Sequence, residues 1–385
     1  MKITNVRALR VDPSGARGRG GGHTFVLIDT DEGITGLGEC SSAPAEANFA
    51  VLETIRRLKE ALVGLDPSDI SYIWHFVYRR FTFLGSRGFP TTVAAGIDIA
   101  LWDLNGKALG RPVYKLLGGK LRDSVPLYAN GWFAGCDTPD EYAAAAKRTV
   151  AQGYAAMKCD PFRVPDSSVF RRPYTNGEIP AQAEDDGIAR IAAMREAVGP
   201  SIEILIDAHG RYNVASAIRI GRRLEPFKIA WYEEPVPPES VQALRSVREH
   251  VNVPISVGER LHTRFDFVPI LEQRLADYVM PDIMWTGGIS EIVRIAAMAE
   301  AYYIPVSPHN VMGPIQLVAG AHAMTSIPNF YRHEHSVPAE ANYAKLLTPP
   351  IDFGRGEVRL SDRPGLGHDL NWEFITQNEV DPWNV

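Results

Sequence analysis

Three acidic residues at the ends of three successive apolar runs constrain this chain more than any other feature. Asp207 follows Ile202-Glu203-Ile204-Leu205-Ile206, Glu233 follows Ile229-Ala230-Trp231-Tyr232, and Glu259 follows Pro254-Ile255-Ser256-Val257-Gly258. A spacing of 26 residues separates the first from the second and the second from the third, about the length of one strand, one helix and two short loops of a βα repeat. On a parallel barrel such residues emerge together on the rim where the strands end. A single carboxylate at a strand end is more often a helix cap or a surface charge. Three at equal intervals would repel one another unless a cation lay between them. An all-oxygen ligand set favours a hard divalent ion, and Mg²⁺, which keeps positions open for water or substrate oxygens, suits it better than zinc.

A chain of 385 residues with 45% hydrophobic residues has enough material for a full barrel and a second domain. Its formal charge of −6 and the absence of any Lys/Arg run argue against nucleic-acid and membrane surfaces, so an acidic substrate would have to be drawn by a local cation. Cys40, Cys136 and Cys159 are too few and scattered for a disulfide framework or a thiolate metal site, which makes a reducing cytoplasm the expected compartment. Met1-Lys2-Ile3-Thr4-Asn5-Val6 reads as a strand without the apolar core of a signal peptide, and no stretch approaches membrane-spanning length.

The pattern predicts an α/β protein: a TIM-type (β/α) barrel over 123–348, preceded by an α+β domain over 1–122 and followed by a segment, 349–385, that packs on that domain. Residues 2–11, 23–28 and 34–39 read as strands, the last two forming a hairpin through Asp29-Thr30-Asp31-Glu32-Gly33. The glycine-rich stretch 14–22 reads as a mobile loop able to serve as a lid. From about Ala45 to Gly118 the pattern is helical, with Ile97, Ala100, Leu101, Leu104 and Ala108 at the spacing of an amphipathic helix over 91–109. Barrel strands are expected near 125–129, 155–159, 202–207, 229–233, 254–258, 277–281, 304–307 and 329–333, with helices such as 138–152, 184–198, 214–225 and 290–302. The long interval containing 163–183 reads as an inserted loop over the rim.

The same strand ends carry further chemistry. His209, two residues after Asp207, is a proton donor beside the cation or a histidine bonded to a loop carbonyl. His309 and Asp282 close the seventh and sixth strands, and neighbouring strands would set them side by side, a carboxylate fixing the tautomer and raising the basicity of a general base. Lys158 and Asp160 share one face of the second strand end. Near a cation the lysine can act as a neutral base or bind an anionic substrate, while Asp160 orients Lys158, meets a substrate hydroxyl or forms a plain ion pair. Glu334, at the eighth strand end, can bond substrate oxygens; His333 and His335 flank it on the opposite face as core or surface residues. Glu234 should point away from Glu233 and be structural. Arg17 and Arg19 in the glycine loop can clamp a substrate carboxylate or remain solvated, and Trp132 walls the site or packs beneath it.

These residues, in Ile206-Asp207-Ala208-His209-Gly210-Arg211, Tyr232-Glu233-Glu234-Pro235 and Gly258-Glu259-Arg260, together with Gly96-Ile97-Asp98-Ile99-Ala100-Leu101-Trp102-Asp103 and Leu116-Leu117-Gly118-Gly119, are similar to the motifs of the enolase superfamily, in its mandelate racemase subgroup, over nearly the whole chain. Arg264-Phe265-Asp266-Phe267, Gly287-Gly288-Ile289-Ser290-Glu291 and the Asp207-x-His209 pair most resemble galactonate dehydratase-like acid-sugar dehydratases. The resemblance implies that the N-terminal domain caps the barrel and that Mg²⁺ on Asp207, Glu233 and Glu259 steadies an enediolate. It further implies His309 with Asp282 as the base, His209 as the acid for the leaving hydroxide, and Glu334 as an enediolate or hydroxyl contact.

The implied activity is dehydration of an aldonate or aldarate to a 2-keto-3-deoxy acid. Asp160 stands where the racemases of the subgroup carry the second lysine of a Lys-x-Lys pair, which weakens a two-base racemisation. Competing readings are a racemase, epimerase or cycloisomerase sharing the first proton abstraction, and a catalytically silent barrel. The expected partners are a small acid sugar and further copies of the chain in a homo-oligomer, with no nucleic acid and no membrane.

Overall fold

The computed structural model describes residues 1–13, 22–42, 45–162 and 176–380. The N-terminal sheet has strands β1 (Ile3–Val11), β2 (His23–Thr30) and β3 (Thr35–Glu39), in that order and antiparallel throughout. Helices α1 (Ala45–Leu62), α2 (Ile70–Arg80) and α3 (Phe89–Ala108) follow, then the short α4 (Val113–Leu116). On β3, glycine at alternate positions is a packing requirement. A Cβ on Gly36 or Gly38 would lie 2.1 Å from the carbonyl oxygen of Ala100 or Gly96, so side chains there would push α3 off the sheet.

The expected amphipathic stripe on α3 is a misreading of its surroundings. The helix is buried from Pro90 to Leu101 and again at Asp103, Leu104 and Gly106, because the sheet covers one side and the barrel another. Helices enclosed between two layers lose their polar face.

The barrel strands are β4 (Val125–Asn130), β5 (Ala156–Cys159), β6 (Glu203–Asp207), β7 (Trp231–Glu233), β8 (Ile255–Val257) and β9 (Tyr278–Val279), all parallel and paired in sequence order. Helices α5 (Pro139–Ala151), α6 (Ala181–Val198), α7 (Val214–Leu224), α8 (Val241–Arg248), α9 (Arg264–Glu272), α10 (Ile283–Thr286), α11 (Ile289–Ala301) and α12 (Pro314–Ser326) lie between or after them. The seventh stave is reduced to isolated bridges at Val306 and His309, with Ser307 N donating to Val279 O at 2.9 Å and Val306 N to Asn329 O at 2.8 Å. Pro305 and Pro308 beside it have no N–H to extend a ladder. The eighth stave also departs from expectation. Phe330 bridges Val306, but the regular strand, β10 (His333–Ser336), begins later and closes the circle on β4 with Glu334 opposite Tyr128.

Two carboxylates of the N-terminal domain dock it to the barrel. Asp98 on α3 accepts from Ser290 N at 3.0 Å, at the start of α11. Glu39 on β3 accepts from Ile315 N at 3.0 Å and Gln316 N at 3.2 Å, at the start of α12. Each places carboxyl oxygens at a helix N-terminus, where backbone N–H groups lack partners within the helix and need acceptors. The tail reaches both parts of the molecule. Glu357 and Val358 pair antiparallel with the start of β4, while Val380 N donates to Arg10 O at 2.8 Å.

Candidate active site

Strands β6 and β7 set Asp207 directly beside Glu233, and Glu259 lies two residues past the end of β8. One oxygen from each of the three buried carboxylates falls within 4.8 Å of the others. Burial and the adjacent Asp207 push Glu233 well above the ordinary carboxylate range, which expresses the cost of confining three negative groups together. Trp231 Nε1 donates to Glu233 Oε2 at 3.1 Å and fixes its orientation. The hard oxygen donors, their burial and their mutual repulsion fit a divalent cation.

Lys158, on β5, reaches into this cluster. Its Nζ lies 2.8 Å from Glu233, 2.9 Å from Glu334 and 3.2 Å from Asp207. Burial acts to lower its pKa, but Glu233, Glu334, Tyr128 and Asp207 outweigh that and raise it well above the usual value. These surroundings favour a charged ammonium over the neutral amine that a lysine base requires. Glu334 also accepts from Asn130 Nδ2 at 2.7 Å and from Asn310 N at 3.0 Å.

His309 and Asp282 form a bridge pair on neighbouring staves, with Nδ1 to Oδ2 at 2.7 Å. Met284 N donates to the other Asp282 oxygen at 2.8 Å. His309 Nε2 lies 3.3 Å from Glu259. Burial would lower the pKa of His309, but Glu259, Glu334 and Asp282 push it up to about 9.

On the other side of the cluster, His209 Nε2 lies 3.4 Å from Asp207 and Nδ1 3.3 Å from Asp160. It is the turn, not strand alternation, that brings His209 there. Its φ is 52°, in the left-handed region, and Asp207 Oδ1 accepts from its backbone N–H at 2.8 Å. Asp160 is held at 2.6 Å by Arg211, four residues past Asp207. Burial would raise Asp160, but Arg211 and His209 hold it below the usual range.

Glu234 is tied to the site through Arg260. That guanidinium pairs with Glu234 and lies 3.1 Å from Glu259. Burial and Glu259 push Glu234 up to about 7.

A cavity of about 610 Å³ opens over the cluster, its floor containing Lys158, Asp207, His209, Glu259 and His309. Its roof comes from the N-terminal domain, with Val51 on α1 and Phe89 and Thr92 on α3. Trp132 does not line it. The indole donates to Lys158 O at 2.8 Å and packs edge-on against Tyr142 and Phe133, supporting the end of β5 from below. Arg17 and Arg19 lie outside the described residues.

The strand-end rule that found the carboxylates would also have flagged Asn130. Arg211 and Arg260 each follow a marked acid closely and carried no separate signal. Trp285 on the short α10, His262 in the loop after β8 and the roof residues of the second domain lie where no strand-end pattern announces them.

Residues 14–118 match the mandelate racemase / muconate lactonizing enzyme N-terminal domain, and residues 141–374 the enolase C-terminal domain-like family. D-gluconate dehydratase of Thermoproteus tenax is 35% identical over 363 residues, covering 94% of this chain and 70% of that protein. D-galactonate dehydratase of Ralstonia pickettii is 34% identical over 395 residues, covering 100% of this chain and 96% of that one. A solved member of the enolase superfamily from Salmonella Typhimurium superposes with a TM-score of 0.91 at 32% identity over 98% of both chains. With both domain families matched and relatives aligned end to end, the chain belongs to the mandelate racemase / muconate lactonizing enzyme family of the enolase superfamily.

Proposed function

We propose that the protein is a hydro-lyase that removes water from a sugar acid, an aldonate or aldarate, to give a 2-keto-3-deoxy acid, with Mg²⁺ held by Asp207, Glu233 and Glu259. The observation that carries this reading is the pair of imidazoles flanking one carboxylate cluster. His309 touches Glu259 on the seventh stave, and His209 touches Asp207 on the third, four staves round an eight-stave barrel. Groups so placed address a bound substrate from opposite sides. Bound Mg²⁺ would supply positive charge, neutralising the three carboxylates and stabilising negative charge that grows on the substrate carboxylate as the adjacent carbon loses its proton.

Glu259, the carboxylate that does most to raise the pKa of His309, would be neutralised by a bound cation, leaving His309 able to take that proton on Nε2, while Asp282 at Nδ1 fixes the tautomer and stabilises the imidazolium. His209 gives a proton to the departing hydroxyl on the next carbon, so that water leaves and the resulting enol tautomerises to the keto acid. Asp160 and Asp207, both close to His209, outweigh its burial and raise its pKa, keeping the proton available. Lys158 and Asn130, both bonded to Glu334, supply donors at the substrate carboxylate end.

The relatives named as D-gluconate and D-galactonate dehydratases support a sugar acid as substrate. Free thiols at Cys40, Cys136 and Cys159 support a reducing compartment, the cytoplasm. The exposed Phe83 and Leu84 offer apolar surface for contact between copies in a homo-oligomer. Incubation with a panel of aldonates and aldarates in deuterated water tests the reaction. Keto-acid formation is expected. Exchange of the proton beside the carboxylate without keto acid would point to a racemase or epimerase, and no reaction with any acid would remove the enzymatic reading.

A further inference from the structure

We infer that His262 is a specificity residue of this site, accepting a hydrogen bond at Nε2 from a hydroxyl of the sugar chain at the roof of the cavity. The inference rests on the dehydratase reading and adds a substrate feature to it. His262 lies in the loop after β8 and lines the cavity. It belongs to neither the carboxylate cluster nor the His309–Asp282 pair.

Its polarity follows from its one side-chain partner among the described residues. Nδ1 faces the carbonyl oxygen of Trp285 at 3.3 Å. A carbonyl only accepts, so the hydrogen sits on Nδ1 and the neutral ring keeps its lone pair on Nε2. That Nε2–Cε1 edge is turned to Gly88, at the start of α3 and also part of the cavity wall. A Cβ at Gly88 would stand 3.8 Å from Nε2. Glycine there leaves the lone pair open to the cavity where the two domains meet.

The position of that lone pair is fixed relative to the chemistry. His262 N donates to Asp266 Oδ2 at 2.9 Å. Trp285, which receives the Nδ1 hydrogen bond, lays its ring against His309 with centroids 5.1 Å apart, and its indole N–H donates to Ser41 O of the N-terminal domain at 3.3 Å. An acceptor held this firmly selects for a donor. A hydroxyl satisfies it, whereas a methylene leaves it unpaired and a carboxylate opposes it with lone pairs of its own.

The test pairs a change in the protein with a change in the substrate. The wild type, His262→Phe and His262→Gln are assayed with Mg²⁺ on the best of D-gluconate, D-galactonate and their epimers, and on each monodeoxy analogue of that acid. One analogue is expected to lose roughly tenfold in kcat/KM with the wild type. His262→Phe should lose about as much on the parent acid, mainly through KM, and no longer distinguish it from that analogue. His262→Gln, whose amide oxygen accepts, should recover part of the difference, and it carries the test alone if the Phe variant does not fold. If both variants discriminate among the analogues as the wild type does, or lose equally on every substrate, His262 reads no hydroxyl and the inference is overturned while the dehydratase reading stands. If the wild type dehydrates no sugar acid, that reading fails and takes this inference with it.

Discussion

Gln316 Nε2 lies 2.6 Å from Asp282 Oδ2, the same oxygen that His309 Nδ1 meets at 2.7 Å. The amide cannot be turned round, because its Oε1 accepts from Met312 N at 2.9 Å. The backbone N–H of Gln316 is held in turn by Glu39, whose other oxygen lies 3.0 Å from His23 Nδ1 and 2.9 Å from Ser41 Oγ. A continuous set of buried hydrogen bonds thus runs from the N-terminal sheet to the carboxylate that orients the proposed base. Gln316→Leu removes a donor to Asp282 and strands Met312 N, at a stability cost of about 1–3 kcal/mol. The expected result is a lower melting temperature and a roughly tenfold fall in kcat with little change in KM, measured on the wild type's best acid.

His309→Asn should lower both keto-acid formation and exchange of the proton beside the carboxylate by about 10²- to 10⁴-fold. Mass spectrometry in deuterated water reads both from one sample. Wild-type exchange in this variant would remove His309 as the base.

His209→Asn should separate the two halves of the reaction. Dehydration falls by a similar factor while part of the exchange survives, since His309 and Asp282 are untouched. Equal loss of both would undo the division between acid and base.

Lys158 compensates Asp207, Glu233 and Glu334, and all four side chains are buried. Lys158→Met leaves their charge unbalanced, and breaking a buried pair in this way costs about 3–5 kcal/mol. Mg²⁺ added to the variant should raise its melting temperature more than it raises the wild type's, because binding to the folded form then relieves a larger repulsion. Equal shifts in the two proteins, read by calorimetry over a Mg²⁺ series, would count against a cation on these carboxylates.

Asp98 predicts a pH dependence of domain docking. Burial raises it to about 7, against the opposing pull of Ser290 and Arg294 and with a small push from Glu291. The folded chain therefore holds a proton that the unfolded chain releases near pH 4. The stability this contributes is complete below about pH 4 and is lost as the pH rises toward 7. Asp98→Asn keeps an acceptor for Ser290 N without the titration. Its melting temperature should gain on the wild type's between pH 5 and 8, and parallel profiles would contradict the account.

Much of the barrel was legible because its signals are local. An apolar run ended by an acid marks a strand and its rim together, and the runs before Asp207, Glu233 and Glu259 end where β6, β7 and the loop after β8 present those carboxylates. The same logic brought Asp282 beside His309, since neighbouring staves carry both. It failed at the eighth stave, where closure onto β4 rather than the apolar residues around Phe330 sets the regular strand. It failed again at α3, whose burial on nearly every face depends on two layers that the helix pattern does not contain.

The sequence by itself determined the residue types, their order round the rim and the gathering of three carboxylates there, because strand periodicity acts over short stretches of chain. Only the tertiary structure decided that Lys158 lies within 3.2 Å of three carboxylates, that His209 reaches Asp207 through a left-handed turn, and that Trp132 supports β5 from outside the cavity. Those outcomes depend on which groups meet in a low-dielectric interior. The contacts of Lys158 and Trp132 join residues dozens of positions apart or more, and that of His209 depends on a backbone φ that its spacing from Asp207 does not encode.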